Sequence, residues 1–449
     1  MDYTIKSWKT SVYFLKVQLF RRRSWKQFHE YLSHENMSAD ELERYSFLRK
    51  VDILRYAYEK SPFYKERFDS LGFNPLDVKE EKDWQDVPVL TKDDLRHCFD
   101  KIVVTGISKN LCSLSTTGGS TGTPTAVYHD RRFFSEAISW RLLRWWGIGP
   151  GENRAKIWRT SRDISSRISK LIHSLTLFPS LTILLDSSFV TEQDMLDFAK
   201  TLQEKKVVFL QGYTGAVHQF ALFCDQNNIH IDSLKAIKTS SSPLLKPIRT
   251  EIEKVFGVPV YDQYGCSEIT WLAAQCHRRQ HMHIFNDIRC IEFLDDNNRC
   301  VEDETYGKIA VTDLENHVFP LIRYQNGDMG RKMRGACPCG LPFPLMDTVK
   351  GRVTDNLRFA DGSYIAGDYL TTLFDNNPEC VTGFQVRQNK DYSVTLLVVP
   401  NVNYPLADKE IEKVANLLKE KIKGTEFRLV QTDEIKHDRG KLRYVVSEI

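Results

Sequence analysis

The sequence has no hydrophobic run long enough to cross a membrane and no export signal near its start. Its apolar stretch at 11–20, SVYFLKVQLF, has ten residues, whereas a membrane-spanning helix needs about twenty. The ordered basic, apolar and small-residue regions of a secretory signal are also missing. Because its ten cysteines are scattered, the chain is predicted to be a reduced, cytoplasmic protein.

The chain also lacks a strong charge of either sign. Its 62 lysines and arginines nearly balance its 59 aspartates and glutamates, which leaves a formal net charge of +3 over 449 residues. This balance gives no argument for a nucleic-acid partner. A hydrophobic content of 41% and a charged content of 27% are typical of a globular protein, and the length predicts two or three domains.

A basic helical segment, residues 1–35, surrounds the apolar stretch. Its positive residues are Lys6, Lys9, Lys16, Arg21, Arg22, Arg23 and Lys26. The favoured interpretation is an amphipathic helix packed on the main domain. The alternative is a helix that lies on an anionic membrane surface, which would place the protein at the inner face of the membrane.

Predicted strands and helices alternate from about residue 185 onward. They are a helix from Thr191 to about Lys205, a strand at 207–210, a helix at 216–227, a strand at 234–240, a helix ending near Phe256 and a strand at 258–262. Such alternation predicts an α/β fold with a largely parallel, doubly wound sheet. Upstream, Ser38 and Glu41 predict a capping box for a helix that ends before Pro62.

The C-terminal part has a different pattern. Strands are predicted near 382–388 and 393–399, a charged helix over 407–423 and a last strand near 426–431. These elements form a small α+β unit of about ninety residues, which is compact enough to be a domain. The predicted organisation is a large body, residues 1–352, followed by a small cap, residues 353–449.

A loop rich in glycine and hydroxyl residues follows a strand predicted at 111–114. Its members are Thr116, Thr117, Gly118, Gly119, Ser120, Thr121, Gly122 and Thr123, and Pro124 ends it. Glycines let backbone N–H groups approach a polyanion and the hydroxyls add donors, so the loop suits a triphosphate. It is not a Walker A loop, because no Lys-Ser/Thr pair follows the last glycine. The alternative interpretation is a flexible linker.

Three further motifs carry groups that suit a nucleotide. Tyr264 and Gly265 follow a predicted strand and precede Glu268, so they offer an aromatic face and a carboxylate for Mg²⁺. Asp328 follows an Asn-Gly turn and could accept hydrogen bonds from a ribose diol. Lys441 lies on a glycine-flanked loop near the C-terminus. Taken singly, each of these motifs is common on protein surfaces.

Four residues form a candidate zinc set, although they are far apart in the sequence. They are Cys276, His283, Cys337 and Cys339. Two close cysteines with a Cys/His pair match a tetrahedral site, and four protein ligands leave no position open for catalysis. His277 or His281 could replace His283, and two unrelated groups of thiols are the other interpretation.

The order of the motifs resembles that of the adenylate-forming superfamily and, within it, the phenylacetate–CoA ligase family and its CapK-type relatives. The motifs are STTGGSTGTP at 115–124, YGCSE at 264–268, RYQNGD at 323–328, KGRVTD at 350–355 and RGK at 439–441. The resemblance covers nearly all of the chain after about residue 40 and implies the adenylate-forming ligase fold with a mobile C-terminal cap. Relatives often carry Cys…His-Ile and Cys-x-Cys-Gly at matching places, which supports structural zinc.

The resemblance implies a role for each motif. The Thr117–Thr123 loop would hold the β- and γ-phosphates, and Tyr264 would stack on adenine. Glu268 would ligate Mg²⁺. Asp328 would hold the ribose hydroxyls with Arg352 beside them. Lys441 would come in with the cap and meet the α-phosphate and the substrate carboxylate.

The sequence departs from the family pattern at three places. Asn326 stands where threonine is expected and keeps hydrogen-bonding capacity. The usual Gly-Ala-Glu-Pro segment beside adenine is Ser240-Ser241-Ser242-Pro243, which loses an acid but leaves Ser241 and Ser242 as candidate nucleotide contacts. Thr354 stands at the hinge position.

The implied function is an ATP-dependent, AMP-forming carboxylate ligase that releases pyrophosphate and transfers the acyl group to CoA. Its implied ligands are ATP, Mg²⁺, a small carboxylic acid, whose site Tyr213 would help to shape, and CoA. A CapK-type ligase that acylates an amine of a cell-surface polysaccharide precursor is the alternative. A non-catalytic nucleotide-binding scaffold is a second alternative, and a homodimer is left open.

Overall fold

The computed structural model describes residues 7–117, 125–159, 178–349, 356–435 and 444–449, apart from 366, 372, 375, 376 and 423. Within these residues, no helix is both long enough and apolar enough to cross a membrane. The predicted boundary between body and cap, Lys350–Asp355, falls outside the described part.

Thirteen helices are found in the described part of the chain. They are α1 (Trp8–Phe20), α2 (Arg22–His34), α3 (Ala39–Lys60), α4 (Pro62–Leu71), α5 (Glu81–Trp84), α6 (Lys92–His97), α7 (Phe99–Ile102), α8 (Ser135–Trp145), α9 (Glu192–Glu204), α10 (Thr214–Gln226), α11 (Lys246–Phe256), α12 (Gly367–Leu370) and α13 (Ala407–Lys421). Ser38 caps α3 with the predicted capping box, and Thr191 caps α9 in the same way. Both starts are therefore confirmed.

Twenty strands are found in the same residues. They are β1 (Cys112–Thr117), β2 (Thr125–Asp130), β3 (Arg154–Trp158), β4 (Thr182–Asp186), β5 (Phe209–Tyr213), β6 (Ala236–Ser240), β7 (Val260–Tyr264), β8 (Ala273–Gln275), β9 (Met282–Ile284), β10 (Arg289–Leu294), β11 (Gly307–Asp313), β12 (Tyr324–Gly330), β13 (Lys332–Met333), β14 (Leu345–Met346), β15 (Leu357–Arg358), β16 (Tyr364–Ile365), β17 (Val381–Gln388), β18 (Val394–Pro400), β19 (Phe427–Gln431) and β20 (Val445–Ser447).

A nine-stranded sheet organises the body in the order β13-β14-β9-β8-β7-β6-β5-β3-β4. The strands β4, β3, β5, β6 and β7 are parallel to their neighbours in this run, as the alternating pattern predicts. One face of the parallel part packs against α9, α10 and α11 through buried apolar side chains such as Ile157, Leu210 and Ile237. The opposite face packs against α8, where Trp146 stacks on Phe209 and Tyr261.

Two smaller sheets complete the described part of the body around this core. The antiparallel sheet β10-β11-β12 carries the Tyr324–Gly330 segment. The antiparallel hairpin β1-β2 has Thr117 paired with Thr125 at its open end, so the glycine-rich segment 118–124 connects two paired strands. The strand after this segment was not predicted from the sequence.

The C-terminal unit has its own four-stranded sheet, in the order β19-β18-β17-β20. Its core is formed by the sheet and α13 and includes Leu396, Ile411 and Leu418. The predicted strands and helix are all present here. The short strand β20 was not predicted, and it pairs parallel to β17.

The N-terminal helices pack on the body, which agrees with the favoured interpretation of the basic segment. Arg141 of α8 is fully buried and donates to both oxygens of Asp287, at 3.2 Å and 2.6 Å. His34 at the end of α2 lies 2.9 Å from the same carboxylate. The pKa of Asp287 is held at about 2, because Arg141 and His34 outweigh the effect of burial.

The first helix is packed on one face only. It buries Tyr13 and Val17, while Trp8, Val12, Leu15 and Leu19 are exposed on the other side. Their spacing of four, three and four residues places them on one helical face. This exposed apolar face, called here the α1 face, was not predicted from the sequence.

Candidate functional site

The serine segment and the Tyr264-Gly265 pair lie at the carboxyl ends of β6 and β7, which are neighbours in the parallel part of the sheet, whereas Asp328 lies within β12. Ligands of open α/β sheets bind outside these strand ends. The chain turns tightly after β7, where a Cβ on Gly265 would lie 3.1 Å from the backbone nitrogen of Trp271. A side chain here would therefore require the neighbouring backbone to shift by a few tenths of an ångström. The backbone N–H of Cys266 donates to the carbonyl of Ile269 in this turn. Glu268 lies between these two residues, before the start of β8.

Tyr264 and Asp328 are brought into direct contact. The Tyr264 hydroxyl donates to Asp328 Oδ2 at 2.9 Å and accepts from the Asn326 amide at 2.7 Å. Asn326 also accepts from the backbone N–H of Asp328 at 3.0 Å. Burial and the nearby Asp328 carboxylate raise the pKa of Tyr264 well above its usual value, which keeps the hydroxyl protonated. Asn326 thus performs the hydrogen bonding expected at this departure from the family pattern.

Glu268 lies beside this cluster and is buried, with 5% of its surface exposed. Its Oε1 accepts a hydrogen bond from the Tyr324 hydroxyl at 2.9 Å. Burial and Glu268 itself raise the pKa of Tyr324, so this hydroxyl remains a donor. Within the described residues Oε2 accepts no hydrogen bond, so one carboxylate oxygen is fixed and the other suits a hard cation such as Mg²⁺.

The serine segment after β6 is adjacent to this cluster. Ser241 has a φ of +78°, which is uncommon for a residue other than glycine and concentrates at functional sites. The Thr214 hydroxyl donates to the Ser242 carbonyl at 2.8 Å. The Ser240 hydroxyl donates to the Gln263 backbone carbonyl at 2.9 Å. The segment is thereby fixed between α10 and β7.

The hairpin that carries the glycine-rich segment is anchored to the same region. The Asn316 amide donates to the Tyr128 carbonyl at 2.8 Å, and His129 Nε2 lies 2.9 Å from the Ser267 carbonyl, next to Glu268. Burial lowers the pKa of His129. Thr117 is the last residue of β1 and pairs with Thr125.

Some predicted site residues lie outside the described part of the chain. They are Gly118, Gly119, Ser120, Thr121, Gly122, Thr123, Arg352 and Lys441, together with the hinge residue Thr354. Their roles stay predictions.

Lys92 is a residue of this region that the sequence reasoning missed. A Cβ on Gly327 would lie 3.2 Å from Lys92 Nζ, so the ammonium is close to the turn that carries Asp328. The strand-like pairing of Leu90 with Tyr324 brings the two segments together. The surrounding segment, VPVLTKDDLR at 87–96, carries no local pattern that assigns this lysine to a binding site.

Tyr213 ends β5 and is almost fully buried, with 4% of its surface exposed. Its ring stacks on that of Trp158, with the centroids 4.0 Å apart. Both side chains pack with the apolar cluster that includes Leu210, and Tyr213 pairs with Ser240 of the neighbouring strand. This placement, beside the nucleotide residues, fits the predicted contribution of Tyr213 to an acid site.

The four candidate zinc ligands converge. The ligand atoms of Cys276, His283, Cys337 and Cys339 all lie within 4.8 Å of one another. The Sγ atoms of Cys276 and Cys337 are 3.7 Å apart, and Cys339 Sγ is 3.4 Å from His283 Nε2. Two ligands of one tetrahedral zinc ion lie about 3.8 Å apart for two sulfurs and about 3.6 Å for sulfur and nitrogen, given the usual bond lengths. The observed separations match these values. The three cysteines and the histidine lie at one edge of the large sheet.

His283 rather than His277 or His281 belongs to this cluster. It sits on β9, where it pairs with Leu345 of β14, and its ring packs against Trp145. The cluster therefore connects β9 with the loop between β13 and β14.

Comparisons with known proteins agree with this geometry. No protein-family model matches the chain. It is 24% identical over 363 residues to a phenylacetate-coenzyme A ligase of Thermus thermophilus, covering 78% of this chain and 79% of the relative. It is 25% identical over 417 residues to protein CapK of Staphylococcus aureus, covering 89% and 88% of the two chains.

A solved structure is similar over almost the whole chain. This is 2-hydroxyisobutyryl-CoA ligase in complex with 2-HIB-AMP and CoA in the thioesterification state, with a TM-score of 0.64, 21% sequence identity and coverage of 92% of this chain and 91% of that chain. The expected resemblance to phenylacetate–CoA ligases and CapK is confirmed. The chain has the fold of an adenylate-forming ligase, with a large α/β body and a small C-terminal domain.

Proposed function

We propose that this protein is an ATP-dependent, AMP-forming carboxylate ligase that makes an acyl-adenylate and transfers the acyl group to CoA. The contact of Tyr264 with Asn326 and Asp328 carries the proposal. The aromatic face of Tyr264 lies at the carboxyl end of a parallel strand, where ligands of such sheets bind, and Asp328 on β12 adds an oriented carboxylate. The similarity to phenylacetate-coenzyme A ligases over most of the chain supports the same reaction class.

The proposed roles follow from the chemistry of adenylation. Asp328 accepts hydrogen bonds from the ribose diol, and Arg352 is assigned to the same contact by the family resemblance. Glu268, with Oε1 fixed by Tyr324, holds Mg²⁺, which neutralises charge on the phosphates. The Thr117–Thr123 loop binds the phosphates that leave as pyrophosphate.

Lys441 is the proposed catalytic cation. Attack of a carboxylate on the α-phosphorus builds negative charge there, and a preorganised ammonium in a water-poor site stabilises it. Because Lys441 belongs to the C-terminal unit, its arrival and departure would separate the adenylation step from the thioester-forming step. The domain boundary near Lys350–Asp355 is the proposed hinge.

The experiment that tests the reaction is ATP–pyrophosphate exchange over a panel of carboxylic acids. Lys441→Ala is expected to lower exchange by about a hundredfold or more, the usual cost of removing one preorganised charge-stabilising group. Lys390→Ala, which removes an exposed lysine from the turn between β17 and β18, is the matched control. The ligase proposal fails if ATP binds and no acid supports exchange, which would favour the nucleotide-binding scaffold. Unchanged exchange in Lys441→Ala would remove only the role of that lysine.

The acceptor has a second candidate, an amine on a cell-surface polysaccharide precursor. The similarity to CapK, which extends over 89% of this chain, favours it as an alternative. Once an acid is known, the preformed acyl-adenylate should be offered CoA and amines in parallel. Thioester formation with CoA supports the first candidate, and amide formation with CoA inert supports the second.

We also propose that the Cys276, His283, Cys337 and Cys339 cluster holds one structural zinc ion. The separations of the sulfur and nitrogen atoms support it, and thiols in a disulfide would be much closer, at about 2 Å. Four protein ligands give the ion no catalytic position.

The zinc proposal predicts one equivalent of metal in the purified protein. Cys337→Ser is expected to lose the metal and to melt at a lower temperature, because the ion joins β9 to the loop before β14. Cys300→Ser, at an exposed thiol outside the cluster, should keep both metal and stability. A metal-free preparation with the wild-type melting temperature would contradict the proposal.

The α1 face is proposed to contact an anionic membrane surface. Its apolar residues are exposed, and the next helix begins with the exposed cations Arg22 and Arg23. An apolar face flanked by cations suits the boundary between headgroups and acyl chains.

A further inference from the structure

Lys238 is a buried cation that none of the proposed roles uses. It lies in the middle of β6, with 6% of its surface exposed. Within the residues that the structure describes, its ammonium makes no hydrogen bond and no ion pair. Its one close contact is with the ring of Trp271, whose centroid is 5.3 Å from Nζ. Burying a charge without a partner is costly, so its presence requires an explanation.

The nearest acidic group does not supply the partner. Asp262 lies on β7, but Lys238 pairs in register with Tyr261, so the two side chains start on opposite faces of the sheet. The Asp262 carboxylate accepts from the backbone N–H groups of Leu244 and Gln263 and lies near Arg249, while burial holds its pKa at about 6. Its charge partly offsets the lowering of the Lys238 pKa, but no hydrogen bond or ion pair joins the two side chains within the described residues.

Lys238 belongs to a polar row across the sheet. Lys156 of β3 pairs with Gln211 of β5, and Gln211 pairs with Lys238 of β6. Paired residues of parallel strands project on the same face, so the two lysines flank the glutamine. Burial and the charge of Lys156 lower the pKa of Lys238 to about 8. Two cations so arranged favour an anion between them.

The row is next to the candidate acid site. Two residues further along each strand, on the same face, lie Trp158, Tyr213 and Ser240, the last of which begins the serine segment of the nucleotide site. The lysine row therefore lies two residues before the strand ends at which the nucleotide residues stand. An acid whose carboxylate faces the nucleotide would direct its other end along the strands toward Lys238.

We propose that the acid activated by this protein carries a second negatively charged group, a carboxylate or a similar anion, which binds Lys238 with Lys156 nearby. The inference rests on the proposed ligase function and names its substrate class. A substrate with only an apolar end would leave the ammonium desolvated and unpaired, whereas a second anion forms a charge-assisted hydrogen bond with it.

The test uses pairs of acids that differ by one group, a methyl in one member and a carboxylate in the other. Butyrate with succinate, and 4-methylphenylacetate with 4-carboxyphenylacetate, are suitable pairs. In ATP–pyrophosphate exchange, kcat/KM of the wild-type protein is expected to favour the dicarboxylate by about tenfold or more in at least one pair, the size expected of a hydrogen bond to a charged group. A preference for the methyl member throughout would overturn the inference.

Lys238→Met tests the residue itself, since methionine keeps most of the volume without the charge. The preference is expected to shift by at least about tenfold toward the methyl member, and Lys238→Arg should retain preference for the dicarboxylate. Lys235→Met, which removes an exposed lysine just before the same strand, is the matched control. An unchanged ratio in Lys238→Met would contradict the assignment. A melting temperature no lower than that of the wild type would show that the variant folds.

Direct binding separates this inference from the ligase proposal. Calorimetric titration of the same acids in the presence of AMP is expected to detect the dicarboxylates with wild-type protein and to find weaker binding with Lys238→Met. If exchange occurs only with monocarboxylates, the substrate class is wrong and the ligase function stands. If no acid supports exchange, the ligase proposal fails. Dicarboxylate binding to the wild-type protein that is lost in Lys238→Met would still support the anion site. Absence of such binding would overturn it.

Discussion

The Tyr264 hydroxyl joins strands β7 and β12, which belong to different sheets. It donates to Asp328 Oδ2 and accepts from the Asn326 amide, so it orients the carboxylate proposed to hold ribose. The ring and the hydroxyl therefore have separable contributions. The ring offers a surface for adenine, and the hydroxyl fixes the position of Asp328.

Tyr264→Phe keeps the ring and removes this orientation. We expect the KM for ATP in pyrophosphate exchange to rise about fivefold with a smaller change in kcat, because one hydrogen bond contributes about 1 kcal/mol. Tyr58→Phe is the control, since the Tyr58 hydroxyl makes a similar bond to Asp69 at 2.8 Å on the surface. A fall in kcat at constant KM would instead indicate that the hydroxyl acts on the transition state.

Some residues of the site were predictable because their motifs are local. Glu268 and Asp328 stand within short motifs whose order along the chain resembles the family pattern. The place of Glu268 after a strand was predicted, whereas Asp328, expected after a turn, lies within β12. Lys238 was not recognised, because a lysine within AIKTS has the same local pattern whether its side chain meets solvent or the interior. Lys92 was missed for a similar reason, since its neighbour Gly327 is far away in the sequence.

At the scale of elements, the contact between α2 and α8 includes two buried carboxylates, those of Asp287 and Glu35. Asp287 binds Arg141 and His34, and Arg144 pairs with Glu35 at the end of α2. None of these pairs could be predicted from the sequence, because Asp287 lies more than a hundred residues from either partner. Helix starts such as Ser38 and Thr191 were predictable, since their capping partners lie three residues away.

Asp287→Ala is expected to lower the free energy of unfolding by about 3 to 5 kcal/mol, because it leaves Arg141 buried without its carboxylate. Asp296→Ala is the matched control. Asp296 pairs with Lys308 at 2.7 Å but is 93% exposed, so its loss should have little effect on stability, because solvent screens surface ion pairs. Chemical denaturation would measure both, and equal effects would contradict the role of the buried pair.

The same carboxylate predicts a pH dependence. Its pKa is about 2 in the folded protein and about 3.9 when unfolded, so the depressed value adds stability that is complete above pH 4. This contribution is lost as the pH falls from about 4 to 2, because protonation then favours the unfolded chain. Asp287→Asn should lose less stability than the wild type over this interval in denaturation experiments.

At the scale of the whole molecule, the fold was predicted more completely than the partners that the protein binds. Alternating buried strands and amphipathic helices indicated the parallel sheet, and the change of pattern after residue 380 indicated a separate α+β unit. The parallel strand β20 was missed, because three residues, Val445–Ser447, carry too little pattern to distinguish a strand from an irregular tail. The sequence did not distinguish CoA from an amine as the acceptor, because no single segment identifies the acceptor.

The α1 face predicts how the whole molecule meets a membrane. Leu15→Glu with Leu19→Glu is expected to weaken co-sedimentation with vesicles that contain anionic lipid, because charges replace the apolar contact. Leu245→Glu is the control, since Leu245 is 46% exposed on a different helix start. Binding of the wild type should fall with rising salt and be weak on neutral vesicles. No binding to anionic vesicles would contradict the membrane proposal.

Trp8 gives the α1 face an optical consequence. The chain has eight tryptophans, and Trp8 is 66% exposed, whereas Trp84, Trp140, Trp145 and Trp146 are at most 7% exposed. Its indole should therefore emit at longer wavelength than the buried rings and be quenched preferentially by iodide. Transfer of the helix into a bilayer interface would shift that component toward the blue and shield it from the quencher. The protein thus carries its own reporter at the position where the contact is proposed.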